Sequence, residues 1–248
     1  MSIASTTVDQ EEIAHFTAMA DEWWDAQGKF KPLHLMNPVR LEFIRDHIVQ
    51  HYSLNATNAA PLDKLDIADI GSGGGLICEP LCRLGANVTG IDAAKKNIAV
   101  ARLHAQQMEL EIEYLHSTAE AQAATGKQYD VVLALEIVEH VADVDAFLAA
   151  ITALVKPNGL LFMSTLNRTA MSYAKAIIGA EYVMRWLPKG THHWNKFFKP
   201  SELIMPLQQL GIQPMDLQGL VYDPFNSRWS LNPSDTKVNY IFAAKKPE

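Results

Sequence analysis

The spacing of hydrophobic residues changes along the chain at about residue 65. Before it, apolar residues recur at helical intervals in two stretches, which predict one helix over residues 9–26 and a second from Pro38 to about residue 52. After it, short apolar runs that predict strands alternate with helix-like segments. The predicted strands are 65–70, 87–91, 112–115, 129–135 and 160–164, and the predicted helices between them are 75–84, 94–107 and 143–155. Such alternation predicts a parallel sheet with right-handed crossover connections.

The remaining segments complete a single α/β domain. A helix is predicted at 200–210 and two strands at 212–219 and 238–244, which brings the number of strands to seven. We therefore expect a doubly wound, mostly parallel sheet. The expected parts of the domain are an N-terminal helical lid (1–60), a ligand-binding core (65–165), an insert (166–195), and a C-terminal helix and hairpin (196–248).

Composition and charge exclude several classes of protein. Hydrophobic residues make up 48% of the 248 residues, enough for a core, and the formal net charge is −7. This acidic balance argues against broad nucleic-acid binding. The polar, acidic N-terminus does not resemble a signal peptide and no apolar run is long enough to span a membrane, so we expect a cytoplasmic protein. The two cysteines, Cys78 and Cys82, are too few for a zinc site and are expected to be buried rather than bridged.

A glycine-rich turn follows the first predicted strand. Residues 69–75 read Asp-Ile-Gly-Ser-Gly-Gly-Gly, and Gly71 and Gly73 allow the backbone to approach a ligand closely. Asp92 follows Gly71 by 21 residues and ends the second predicted strand. An acidic side chain at that position is where nucleotide-binding α/β folds hold ribose hydroxyls. The loop and Asp92 together predict a nucleoside-containing ligand, whereas the loop alone could be an ordinary turn.

The spacing of the glycines limits which classes of ligand the loop can bind. A dinucleotide fingerprint has a third glycine where this chain has Leu76, and Asp69 would repel a pyrophosphate but could hold an ammonium group. A ligand without phosphates needs only a tight loop. This combination resembles the first motif of class I S-adenosylmethionine methyltransferases. We therefore expect S-adenosylmethionine as the cofactor, with Asp69, Gly71, Gly73 and Asp92 among its contacts.

A second group of polar residues follows the fourth predicted strand. Glu136, Glu139 and His140 would lie on one face of a helical turn, at the edge of the sheet where open α/β folds bind ligands. Two carboxylates and an imidazole could bind a divalent cation. The same residues could serve only the turn, because carboxylates are favoured near a helix N-terminus and a lone histidine is often an orienting group. Spacing alone leaves both interpretations open.

Several longer segments are similar to one family, the ubiquinone-biosynthesis O-methyltransferases. They are Phe-Lys-Pro-Leu-His (30–34), Asn-Pro-Val-Arg (37–40), Glu-Ile-Val-Glu-His (136–140), Ser-Thr-Leu-Asn-Arg (164–168), Gly-Ala-Glu-Tyr (179–182), Pro-Lys-Gly-Thr-His (188–192) and Asp-Thr-Lys-Val-Asn-Tyr (235–240). The similarity runs from about residue 11 to residue 245. The segments that contain Lys-Gly-Thr-His and Val-Asn-Tyr are the most specific to this family.

The resemblance implies two sets of site residues. The S-adenosylmethionine contacts that it implies are Arg40, Gly71, Asp92 and Leu135. The divalent-metal ligands that it implies, with magnesium favoured, are Glu136, Glu139 and His140. This chain departs from the family at Ser72, where cysteine is frequent, and at Leu135, where methionine is common. Serine is similar in size to cysteine, and a backbone or apolar contact with adenine survives the change to leucine, so neither departure threatens the assignment.

The resemblance also implies a reaction. The expected activity is transfer of a methyl group from S-adenosylmethionine to a phenolic hydroxyl of polyprenylated catechol-type compounds, 2-polyprenyl-6-hydroxyphenol and 3-demethylubiquinol. A bound metal would lower the pKa of the phenol, and His140 would be the general base without one. Methylation of another small molecule is the alternative. A nicotinamide oxidoreductase is disfavoured by Asp69 and Leu76, an RNA methylase by the net charge, and a non-catalytic module by the intact glycine loop.

The insert at 166–195 is too long for a plain loop. On a helical projection its apolar stripe is flanked by Lys175, Arg185 and Trp186, a composition that suits a membrane surface. The stripe consists of Tyr173, Ala176, Ile177, Ala180, Met184 and Leu187. A lid over the active site explains the same pattern. With a polyprenylated substrate, we expect peripheral contact with the anionic inner face of the cell membrane and with other enzymes of the ubiquinone pathway.

Overall fold

The structure, a computed structural model, describes residues 9–173 and 194–248. A sheet of eight strands forms the centre of this part of the protein. In chain order the strands are β1 (Asp66–Ile70), β2 (Asn87–Asp92), β3 (Glu113–His116), β4 (Tyr129–Leu135), β5 (Val155–Leu166), β6 (Gln213–Asp223), β7 (Arg228–Asn232) and β8 (Asn239–Lys245). Their order across the sheet is β3-β2-β1-β4-β5-β8-β6-β7.

Helices cover both faces of the sheet. They are α1 (Gln10–Met19), α2 (Lys31–His51), α3 (Cys78–Arg83), α4 (Lys95–Gln107), α5 (Ala119–Ala123), α6 (Val144–Leu154), α7 (Ala170–Ser172) and α8 (Pro200–Gln209). On one face, Ile44 of α2, Leu81 of α3 and Ile98 of α4 are buried in one hydrophobic cluster with strand residues. On the other face, Leu148 of α6 and Leu203 of α8 belong to a second cluster. Burial of both faces explains why the strands read as continuous apolar runs.

The first five strands are parallel, which confirms the predicted doubly wound α/β class. β1 lies between β2 and β4, so the chain builds one half of the parallel sheet outward from β1 and then returns to build the other half. Open sheets of this kind bind ligands at such a switch point, outside the carboxyl ends of the strands. The carboxyl ends of β1, β2 and β4 are therefore where a site is expected.

Three antiparallel strands complete the sheet, one more than the sequence predicted. β8 pairs with β5 and with β6, which confirms a hairpin-like pairing of the two predicted C-terminal strands. The additional strand, β7, pairs with β6 at the edge of the sheet. All its residues are exposed or only partly buried, so the apolar pattern by which strands are recognised is weak there.

The N-terminal helices differ from the prediction in their bounds. α1 ends at Met19 and is followed by a 3₁₀ turn, Ala20–Glu22, instead of continuing to residue 26. α2 begins at Lys31 rather than at Pro38, with Pro32 in its first turn. Pro32 provides the same helix-start signal that was assigned to Pro38. Pro38 removes only one backbone donor from a helix of 21 residues, several of which are buried against the sheet.

The segment predicted to contact a membrane lies outside the described residues, apart from Tyr173, which is 50% exposed. Within the described ranges, no helix combines the length and the apolar character needed to cross a bilayer.

Candidate active site

The glycine-rich loop lies at the carboxyl end of β1. The N–H groups of Gly71 and Ser72 donate hydrogen bonds to the carbonyl of Ile91, at 2.8 and 3.1 Å, and tie the loop to β2. Gly71 and Gly73 have φ angles of 76° and 53°, in the left-handed region that favours glycine. Both residues line a cavity, as expected of a loop whose backbone approaches a ligand.

The N-terminal segment, residues 9–30, packs directly on this loop. A Cβ atom on Gly73 or on Gly74 would lie 2.4 Å from the side chain of Trp23. The indole of Trp24 donates a hydrogen bond to the carbonyl of Gly74 at 3.0 Å, and Trp23 stacks on Phe30 with ring centroids 3.8 Å apart. Packing against Trp23 therefore accounts for part of the glycine pattern, a cause that was not predicted from the sequence.

Asp92 ends β2 beside the loop, as predicted. One carboxylate oxygen accepts a hydrogen bond from the N–H of Gly73 at 2.9 Å. The other accepts from the N–H of Ala94 at 2.7 Å and from the side-chain amide of Asn97 at 3.2 Å. Burial raises the pKa of Asp92, and these donors oppose the shift. Asp92 thus joins the loop to the start of α4.

Asp69 is only 4% exposed, and its carboxylate accepts a hydrogen bond from the thiol of Cys78 at 3.3 Å. Burial raises the pKa of Asp69 to about 6, and the charge of Asp92 adds to the shift. A cationic group in the cavity would favour its ionised form, which fits the predicted contact with an ammonium group.

Cys78 and Cys82 are both free thiols, as predicted, although only Cys78 is fully buried.

Arg40, which is buried, forms an ion pair with the partly buried Glu136. The guanidinium, with the whole residue 2% exposed, also donates to the side chain of Asn37 at 3.3 Å. Burial lowers the pKa of Arg40, and the charge of Glu136 opposes that shift. Glu136 accepts further hydrogen bonds from the hydroxyl of Ser164 at 2.8 Å and from the amide of Asn239 at 3.4 Å. Its φ of 51° is unusual for a residue other than glycine, so the backbone turns sharply where β4 ends.

Glu139 lies in a 3₁₀ turn, Val138–His140, rather than in an α-helical turn. It is 5% exposed and accepts a hydrogen bond from the hydroxyl of Thr165 at 2.8 Å. Burial raises the pKa of Glu139 to about 7, and repulsion from Glu136 contributes to the rise. Two carboxylates are therefore close enough to influence each other at the end of β4.

His140 is paired with an acidic residue of α1. Its Nδ1 lies 3.0 Å from Oε2 of Glu12, and it must carry the proton because an ionised carboxylate only accepts. The hydrogen bond from His140, together with Lys196, lowers the pKa of Glu12 to about 2. Burial lowers the pKa of His140, but the hydrogen bond to Glu12 and the charge of Glu139 outweigh it, so the pKa is raised.

The predicted metal ligands do not fit a metal ion in this arrangement. Among residues 9–173 and 194–248, no group of three or more His, Cys, Asp or Glu side chains is placed to bind one. Glu136 is paired with Arg40, and His140 directs Nδ1 at Glu12. The donor types suit a divalent cation, but the guanidinium already neutralises Glu136. The structure therefore does not support the predicted cation.

These residues surround a cavity of about 580 Å³, a size typical of small-molecule sites. Every predicted site residue lines it: Arg40, Asp69, Gly71, Gly73, Asp92, Leu135, Glu136, Glu139 and His140. Four buried atoms of lining residues have no hydrogen-bond partner among the described residues: Nε of Arg40, Oγ of Ser72, Nε1 of Trp229 and Oδ1 of Asn239. A ligand with an amino-acid end could satisfy the first two, and Asp92 is placed to accept from a diol. The cavity therefore fits S-adenosylmethionine.

Several residues of this site were not predicted from the sequence. Asn239 lies within the Val-Asn-Tyr segment that resembles the family, so the sequence carried a signal there but did not indicate a role for the residue. Glu12 and Lys196 look like ordinary surface charges in the sequence. Their contact joins residues 184 positions apart, and a local pattern does not reveal such a pair.

Known proteins are similar to this chain in sequence. A family model described as a methyltransferase domain matches residues 68–163. The ubiquinone biosynthesis O-methyltransferase of Dinoroseobacter shibae is 53% identical over 247 residues, which cover 100% of both chains. The enzyme of the same name from Roseobacter denitrificans is 54% identical over 247 residues, again covering 100% of both chains.

Solved structures share the fold at lower identity. The magnesium protoporphyrin IX methyltransferase of Synechocystis PCC 6803, solved with S-adenosylmethionine, has a TM-score of 0.65 and 17% identity, covering 96% of this chain and 98% of its own. An S-adenosylmethionine-dependent methyltransferase from Clostridium acetobutylicum has a TM-score of 0.61 and 12% identity, covering 95% and 99%. At these identities the likeness establishes the fold alone.

We predict that Asp92→Ala weakens S-adenosylhomocysteine binding by about tenfold or more, because losing hydrogen bonds to a diol and to the N–H groups of Gly73 and Ala94 costs about 1–3 kcal/mol. Isothermal titration calorimetry measures the affinity, and circular dichroism verifies the fold. Asp66→Ala, at the amino end of β1, is the matched control and should leave the affinity unchanged. Equal affinity of Asp92→Ala and wild type would refute the assignment of Asp92.

Proposed function

The chain belongs to the ubiquinone biosynthesis O-methyltransferase family, and from that membership we propose that it methylates a phenolic hydroxyl of polyprenylated catechol-type compounds. S-adenosylmethionine is the methyl donor. The proposed acceptors are 2-polyprenyl-6-hydroxyphenol and 3-demethylubiquinol. The observation that carries this proposal is that one cavity is lined both by the glycine loop with Asp92 and by the Glu12–His140 pair, so donor and acceptor can be bound side by side.

The lining of the same cavity supports an aromatic acceptor with an apolar tail. Besides the charged groups, it includes side chains of β6, of β7 and of a residue that precedes β8. The apolar and aromatic ones among these are Leu220, Val221, Tyr222, Trp229 and Val238. Residues 1–60 are proposed to act as a lid over the core, residues 65–165, and the contacts of Trp23 and Trp24 with the glycine loop support this.

The proposed chemistry is a direct displacement. The phenol oxygen attacks the methyl carbon of the sulfonium, the carbon–sulfur bond breaks, and S-adenosylhomocysteine leaves with the electron pair. The enzyme contributes mainly by aligning the two reactants. The phenol proton is proposed to pass to Nε2 of His140, the ring nitrogen that Glu12 does not hold. Glu12 keeps the ring in that tautomer because its carboxylate accepts the proton on Nδ1.

We expect the purified protein to methylate a short-chain prenylated catechol with S-adenosylmethionine, and His140→Gln to lower kcat by about 10²–10⁴-fold. Mass spectrometry of the product measures turnover. The affinity for S-adenosylhomocysteine should be retained in the variant, because the glycine loop and Asp92 are untouched. His51→Gln, a partly buried histidine that ends α2 and does not line the cavity, is the matched control. Absence of product from wild type would exclude the proposed acceptor class, and full activity of His140→Gln would exclude the base.

The divalent cation is a separate prediction from the family resemblance, which the arrangement of Arg40 and Glu136 does not support. If Glu136, Glu139 and His140 do bind a cation during turnover, exhaustive chelation should abolish activity and magnesium should restore it. Glu139→Ala should then not be rescued at ordinary ion concentrations. Full activity of wild type in chelator would agree with the observed ion pair and remove the cation from the reaction.

We also propose peripheral contact with an anionic membrane through residues 173–187, on sequence grounds alone, since almost all of this segment lies outside the described residues. A polyprenylated acceptor partitions into the bilayer, so the enzyme has to meet it at the surface. Basic residues near anionic lipid contribute about 1 kcal/mol each, which allows reversible attachment. Contact with other enzymes of the pathway stays a prediction.

Wild type is expected to co-sediment with vesicles that contain anionic lipid, and less so as salt rises. Combining Ile177→Glu with Trp186→Glu should abolish co-sedimentation while cofactor affinity is kept. Neutral vesicles and Leu103→Glu, an exposed apolar residue of α4, are the controls. If wild type and the double variant stay equally in the supernatant, the segment does not bind lipid.

A further inference from the structure

Lys196 joins two parts of the chain that are far apart in sequence. It lies in a 3₁₀ turn, Trp194–Lys196, which precedes α8. Its Nζ donates a hydrogen bond to Oε1 of Glu12 at 2.8 Å and lies 3.3 Å from Oδ2 of Asp9. Asp9 is also the N-cap of α1, where its other oxygen accepts from the N–H of Glu11 at 3.0 Å. One lysine thus contacts two acidic side chains at the amino end of α1, those of Asp9 and Glu12.

The two carboxylate oxygens of Glu12 have different partners. Oε1 accepts from Lys196, and Oε2 faces Nδ1 of His140 at 3.0 Å. Because both oxygens are held, the carboxylate cannot rotate without losing a charged partner. The side chains of Glu12 and His140 are 18% and 14% exposed, and that of Lys196 is 40% exposed. Glu12 and His140 line the cavity, so this chain of contacts leads from the surface to the proposed base.

We propose that Lys196 is a positioning residue for methyl transfer, which acts through Glu12 on the orientation of the His140 ring. The inference rests on the proposed role of His140 as base. Without Lys196, Glu12 would keep a single partner, and its side chain would gain rotational freedom that the ring would share. A displacement of about 1 Å at a catalytic group can reduce a rate by about 100-fold. An ion pair as exposed as this one contributes little to stability, so its effect is expected in turnover.

Kinetics of four variants test this inference: Lys196→Met, Lys196→Arg, Glu12→Gln and the double variant Glu12→Gln with Lys196→Met. We expect Lys196→Met to lower kcat by about tenfold or more with little change in the KM for S-adenosylmethionine, since the effect is on placement of the base. Lys196→Arg keeps the charge and should recover most of the activity. Because Lys196 acts through Glu12, the double variant should be no worse than Glu12→Gln alone.

Lys127→Met is the matched control. Its ammonium lies 2.9 Å from Glu113 and its side chain is 45% exposed, close to the values for Lys196. Lys127 precedes β4 whereas His140 follows it, so the two residues lie at opposite ends of that strand. This variant should keep the wild-type kcat. The proposal would be overturned if Lys196→Met and Lys127→Met lowered kcat equally. It would also be overturned if the fold-loss of kcat in the double variant equalled the product of the losses in Glu12→Gln and Lys196→Met.

A second measurement does not depend on the acceptor. Nuclear magnetic resonance of the histidine ring nitrogens reports the hydrogen bond at Nδ1, and the His140→Gln variant identifies the signal of His140. The ring signals of His140 should shift in Lys196→Met and return in Lys196→Arg. Unchanged ring signals of His140 in Lys196→Met would refute the positioning role, whether or not wild type is active on prenylated catechols. Inactivity of wild type on those compounds would instead contradict the proposed function.

Discussion

Arg40 carries a positive charge into an interior that is otherwise acidic. Its guanidinium is attracted by Glu136, Glu139 and Asp69, and it pairs directly with Glu136. Removing Glu136 would leave the buried guanidinium uncompensated, and in a fully buried pair such a loss typically costs about 3–5 kcal/mol. Arg40 belongs to α2, and Glu136 follows β4, 96 residues later. The pair therefore holds α2 against the carboxyl edge of the sheet. The shape of the cavity depends on that attachment.

The remaining acidic groups explain why a cationic methyl donor suits this cavity. Burial raises the pKa values of Asp69, Asp92 and Glu139 because it disfavours their ionised forms. A positive charge nearby would stabilise the ionised form of each group. S-adenosylmethionine carries a sulfonium and an ammonium group, whereas the demethylated product has lost the sulfonium charge. Electrostatic attraction therefore favours the donor over the product, which helps the product to leave after transfer.

Both ends of the described chain contribute to a site that the central strands begin. The loop after β1 and Asp92 form the part that fits the cofactor, and the indole of Trp23 reaches across to donate to Asn97 at 3.0 Å. The same indole occupies the space that a side chain at Gly73 would need. Glu12 and Lys196 then connect α1 to His140. Closure of the cavity and placement of the proposed base are thus parts of one packing arrangement.

The sequence by itself determined the α/β class, the glycine loop and the place of Asp92, because these follow from hydrophobic periodicity and turn chemistry over a few neighbouring residues. It did not reveal β7, whose edge position leaves too weak an apolar pattern. Only the tertiary structure decided that Arg40 pairs with Glu136, that Glu136, Glu139 and His140 are not gathered as metal ligands, and that Glu12 reaches His140. These outcomes depend on contacts between residues far apart in the chain, whose geometry and electrostatic competition no local pattern encodes.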